Sequence, residues 1–109
     1  MAKDKPQPLV RITNQFRKGQ AMVYDLSCAN VHLTVEVTQR DNRDGLGSWN
    51  VEAHARAAGD TGSIGEPGDS RVAALRSVAR SWVAKRGVPG FPSIDWEAVS
   101  DALLAVRAI

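Results

Sequence analysis

The stretch Arg71–Arg86, RVAALRSVARSWVAKR, decides how the rest of the chain reads. At about 100° per residue, Val72, Leu75, Val78, Ala79, Trp82 and Val83 fall on one side, with Leu75 and Trp82 near the middle. The spacing predicts one helix over 71–86. Asp69 or Ser70 serves as its N-cap, and Gly87 and Pro89 stop it. All five of its charges (Arg71, Arg76, Arg80, Lys85 and Arg86) are positive. Lys85 and Arg86 suit a last turn, where cations favour the helix dipole. Arg76 and Arg80 need another reason. They lie four apart on the outer face with no acidic partner inside the helix, an arrangement that costs a few tenths of a kcal/mol in isolation. Either a carboxylate elsewhere in the fold answers them, or they form an anion-binding face.

On the C-terminal side, Val88–Pro92 (VPGFP) reads as a tight linker. Ser93 or Asp95 then caps a last helix running to about Ala108. Trp96, Val99, Ala102, Leu103 and Val106 form its apolar side, and Glu97 and Asp101 point elsewhere. The ten-residue stretch before the central helix, GDTGSIGEPG (59–68), carries glycine at every third position. It matches neither phosphate-loop spacing, G-x-x-x-x-G-K-[ST] or G-x-G-x-x-G. It is acidic, and it reads as a flexible crossing from sheet to helix.

Everything further upstream reads as sheet. Trp49–Ala57 alternates Trp49, Val51, Ala53, Ala55 and Ala57 inward with Asn50, Glu52, His54 and Arg56 outward. The inward side chains shrink along the strand, which lets the central helix approach closely. Val31–Arg40 alternates just as cleanly, with Val31, Leu33, Val35 and Val37 against His32, Thr34, Glu36 and Thr38. Ala21–Cys28 puts Met22, Tyr24, Leu26 and Cys28 on one face. The phase switch across Ala29-Asn30 fits a two-residue hairpin pairing Cys28 with Val31. Leu9–Phe16 places Val10, Ile12 and Phe16 in one phase, with a turn at 17–20, and residues 1–7 read as a disordered arm. The expected fold is α+β: a four-stranded antiparallel meander followed by two C-terminal helices on one face (ββββαα), in a single domain over 8–109.

The bulk properties limit the function. The chain of 109 residues is one domain. Its single cysteine permits no internal disulfide and fits a reducing, cytoplasmic setting. No apolar run is long enough to span a membrane, and no apolar segment follows the charged N-terminus as a secretory signal would require. The net charge of +2 hides a segregation. Residues 1–18 carry five basic residues and one acid (+4), the central helix adds +5, and the remainder sums to −7. Charge separated in this way suits a polyanion or a second copy of the same chain.

Signals for chemistry are weak. Pairing Gln39 with Val51 sets Glu36 opposite His54 and leaves His32 remote. Only a slip bringing His32 to His54 makes a two-His-one-Glu metal site, and it shortens a strong strand. Cys28 lies in the apolar phase, and His32, on the opposite face, cannot serve it as a base. No nucleophile elbow is present. Trp49, Trp82 and Trp96 all fall in apolar phases, so the outward sheet face offers no aromatic for base stacking. In element order alone, the layout is similar to the Whirly and PUR-repeat groups of single-strand nucleic-acid binders, whose four strands lead into a helix. The resemblance includes none of their sequence motifs.

The expectation is a non-enzymatic binding module with no cofactor and no metal. Its favoured partner is a nucleic acid, DNA or RNA, contacted through Arg11, Arg17, Lys18, Arg71, Arg76 and Arg80. The competing expectation is a homodimer or protein adaptor, in which the basic helix and the acidic last helix answer each other.

Overall fold

A computed structural model describes residues 10–109 of the chain; the arm expected over 1–7 lies outside them. Five strands form one antiparallel sheet in sequence order: β1 (Val10–Lys18), β2 (Ala21–Cys28), β3 (Val31–Gln39), β4 (Trp49–Ala57) and β5 (Asp60–Gly68). Two helices follow, α1 (Arg71–Val83) and α2 (Trp96–Ala105). Both cover the same face. α1 lies over β4 and β5, and α2 lies towards β1.

The β2–β3 hairpin has the expected register, with Cys28 opposite Val31, Leu26 opposite Leu33 and Tyr24 opposite Val35. Ala29 takes a positive φ of 54° to close it. Leu26, Leu33, Val35 and Val51 from the sheet are fully buried with Leu75, Val78, Val99 and Leu103 from the helices. This is the period-2 and period-3.6 patterning meeting at one interface. Ser70 caps α1, its Oγ accepting from the Ala73 N–H at 3.0 Å, and Asp95 does the same for α2 through Ala98 at 3.1 Å.

The structure corrects four expectations. The glycine-rich stretch is a strand, not a crossing. Ala58 and Gly59, at φ 53° and 86°, make the two-residue turn that starts it. As the edge strand, β5 tolerates Pro67. Gly62 and Gly68 face the helical layer, where a Cβ on Gly68 would collide with the Ala74 backbone and one on Gly62 with the Gly90 carbonyl. Absent side chains there let α1 and the linker sit on β5. Ile64, in the same strand, packs against the core. The fifth strand also breaks the four-strands-then-helix order on which the similarity to Whirly and PUR-repeat proteins rested.

In β1, an irregularity between Ile12 and Asn14 inserts Thr13 as an extra residue. Val10 and Ile12 stay on the helix side, but every later side chain changes face. Phe16 therefore pairs with Val23 on the outer face, which is not free of aromatics after all. Both helices end earlier than their patterns suggest, α1 at Val83 and α2 at Ala105.

Finally, Gln39 pairs with Trp49, not Val51. Glu36 then faces Glu52, and Thr34 faces His54. His54 Nε2 lies 3.4 Å from Glu52 and 3.8 Å from Glu36, and His32 Nε2 lies 3.7 Å from Asp25. Among the described residues no three ligating side chains group as a metal site, and no helix is long and apolar enough to cross a membrane.

Candidate anion-binding site

The six basic residues singled out in the sequence separate into three groups. Arg11 and Lys18 lie on the outer sheet face. Arg11 pairs in register with Ser27, and Lys18 Nζ is 4.0 Å from Glu36. Arg76 and Arg80 lie on top of α1, turned away from its buried residues Ala74, Leu75, Val78 and Trp82. Among the described residues no carboxylate is within ion-pair distance of either. Arg80 instead donates to Ser77 Oγ at 3.1 Å. The expected pairing of the two helices' charges within one chain does not occur: Glu97 and Asp101 form no ion pair there either.

Arg17 and Arg71 form the third group. They come from opposite halves of the chain and line one concavity of about 240 Å³ with Gln20, Tyr24, Gln39 and Trp49. Three local causes build it. The extra residue in β1 turns Arg17 to the helix side, level with Met22. α1 begins only at Arg71, so the sheet end around Met22, Val37 and Trp49 is left without a helix over it. Arg71 then folds over the half-buried Trp49 ring, its Cζ 4.8 Å from the centroid, a cation–π contact that fixes the guanidinium's position.

Among the described residues no side-chain carboxylate lines this concavity. Two guanidinium groups that line one cavity without a counter-charge among the described residues favour an anion there. Each presents a planar fork that matches phosphate or carboxylate oxygens in pairs. The side-chain amides of Gln20 and Gln39 add further donors. Groups of these types are suited to holding and orienting an anion rather than to nucleophile–base chemistry.

Comparison with known protein families, with curated proteins and with solved structures finds no match to the chain. The site is therefore read from its own geometry.

Other features are less suited to chemistry. Burial, reinforced by Asp95, pushes the Cys28 thiol up to about 11, so it stays protonated and unreactive near neutral pH. A larger groove, about 530 Å³, lies at the far end of the helices among Val83, Val88, Phe91 and Ile94. Behind it Trp82 meets Phe91 and Trp96 edge-on, at 4.9 and 5.6 Å between centroids. Those two tryptophans are core residues, as expected, and Trp49, half-buried at the concavity, packs against the same core from its rim. The sequence offered one clue to Arg17: a residue placed just before a glycine turn. It offered none to the bulge that turns Arg17 inward.

Proposed function

We propose that the protein is a non-enzymatic binding module that takes the phosphate groups of a nucleic acid at the Arg17–Arg71 concavity. One observation carries this reading: two guanidinium groups from distant parts of the chain line one cavity in which, among the described residues, no side-chain carboxylate takes part. The half-buried Trp49 beside them adds an aromatic edge suited to a base or sugar next to the bound phosphate. Arg11 and Lys18 lie on the other side of the sheet and take no part. Arg76 and Arg80 lie further along α1 and do not line the cavity; the helical layer that carries them also carries the exposed Glu97 and Asp101, which a long polyanion would avoid.

The test is fluorescence anisotropy of labelled single- and double-stranded DNA and RNA oligonucleotides across a salt series. Changing Arg17 and Arg71 together to Gln is expected to weaken binding for every sequence and to lower the slope of log K against log salt by about two units. An unchanged slope, or no binding by the wild type at low salt, overturns the proposal. The preference between strand forms and between DNA and RNA identifies the partner.

A further inference from the structure

Two like-charge pairs stand on the outer surface of the helical layer. Arg76 and Arg80 are four apart on α1, and Glu97 and Asp101 are four apart on α2. All four are exposed, and none is ion-paired among the described residues. Each pair alone is unfavourable on its helix, and each is what the other lacks.

Their positions along the layer match. α2 runs back along α1. It begins beside the C-terminal end of α1, where the Trp82 and Trp96 rings are 5.6 Å apart. The segment after it brings Ala108 to the concavity that Arg71 lines at the N-terminal end of α1. At a rise of about 1.5 Å per residue, Arg80 stands about 3 Å and Arg76 about 9 Å back from Trp82. On the same rise, Glu97 stands about 1.5 Å and Asp101 about 7.5 Å on from Trp96, in the same direction. Arg80 is thus nearly level with Glu97, and Arg76 with Asp101.

We propose that this surface is the interface of a homodimer, in which a twofold axis parallel to the helices lays α1 of each protomer on α2 of its partner. The axis preserves height along the helices, so Arg76 meets Asp101 and Arg80 meets Glu97 of the second copy, twice over. An axis running across the helices would put α1 on α1, basic against basic, and is excluded by the same charges. Leu104, 59% exposed on α2, then gains a covering. Two helices of this length present only about 400 Å² per protomer, against about 800 Å² in a standard interface. The dimer is therefore weak and depends on its charges.

The experiment is sedimentation equilibrium of the full chain without nucleic acid, up to about 0.5 mM protein, at about 0.01 M and 1 M salt, where the screening length falls from about 30 to about 3 Å. The wild type is expected to dimerise at low salt and dissociate at high salt. R76E/R80E and E97R/D101R are each expected to weaken self-association by about tenfold or more. Mixing the two variants restores the dimer, because both α1–α2 contacts then carry opposite charges, and the fourfold swap in a single chain restores it as well. All four positions are exposed, and circular dichroism checks each fold. A monomeric wild type at low salt overturns the proposal, as does either double variant that still dimerises, or a mixture that fails to recover. A monomer whose R76E/R80E variant loses oligonucleotide binding would assign the surface to nucleic acid instead. Because the sedimentation measurements use no ligand and leave Arg17 and Arg71 intact, their failure is distinct from failure of the anion site.

Discussion

Thr13 decides which way Arg17 points. Were Thr13 an ordinary paired residue of the strand, β1 would alternate regularly, and Val10, Ile12 and Phe16 would share the core face as their spacing suggests. The inserted residue turns Phe16 out, where it is 42% exposed, and Arg17 in, while Thr13 Oγ1 donates to the Asp25 carbonyl at 3.2 Å. A bulge that exposes an aromatic to redirect an arginine has the form of a functional device. Deleting Thr13 is expected to remove the bulge yet leave the salt slope of oligonucleotide binding unchanged, because Asn14 then follows Ile12 directly and Gln15 and Arg17 stay inward while Phe16 stays outward. A thermal scan checks the fold and the anisotropy assay checks the slope. The bulge was not legible because β-strand patterning tests only a fixed period of two, and Val10, Ile12 and Phe16 satisfy that period on paper. By contrast, the β2–β3 pairing was legible residue by residue, because both strands bury one full face and a one-residue slip would expose it.

At the scale of elements, β5 shows where propensity misleads. Glycine weakens a strand intrinsically, so three glycines in nine residues argue for a loop. What holds β5 is tertiary. Glu66 accepts from Ser81 Oγ on α1 at 2.6 Å, and Gly68 lies directly beneath the α1 backbone. The glycines that argued against a strand are the reason a helix can lie on it. Gly68→Ala is expected to cost about 1–3 kcal/mol of stability, because the Ala74 main chain would have to move. Gly59→Ala has open space at its Cβ and pays only for its positive φ of 86°. Chemical denaturation of the two variants separates the causes. The helices themselves were legible in position and facing, since their stripes and caps are local. Their last turns were not: Ala84, Lys85 and Arg86 are good helix formers, yet the backbone there tightens into turns, with the Lys85 N–H donating to the Trp82 carbonyl at 3.0 Å and the Arg86 N–H to that of Val83 at 3.1 Å.

At the scale of the molecule, the net charge of +2 says little and its placement says much. The segregation read from the sequence survives folding: the basic and acidic helices lie side by side, and their outer charges do not neutralise one another within the chain. Which arginines converge could not be read in advance, because Arg17 and Arg71 are fifty-four positions apart and meet only through the sheet's register and the late start of α1. A twofold axis along the helices would set both concavities at the same end of the assembly. Two weak sites on one end act together on a strand long enough to reach both. An oligonucleotide of about 30 nucleotides is therefore expected to bind at least about tenfold more tightly than one of about 6. That advantage should shrink in R76E/R80E, which keeps each concavity but separates the protomers. Equal length dependence in the two proteins would show that the concavities work singly.

The contact between Arg71 and Trp49 also has an optical side. The three indoles of the chain occupy two kinds of surroundings: Trp82 and Trp96 are packed edge to face in the interior, and Trp49 lies half-buried under a guanidinium at the rim of a cavity. An anion that draws Arg71 off the ring changes the polarity seen by one indole and leaves the other two in a constant environment. The protein thus carries an intrinsic chromophore at its own candidate site and an internal reference in its core. Occupancy is written into its ultraviolet emission without any label.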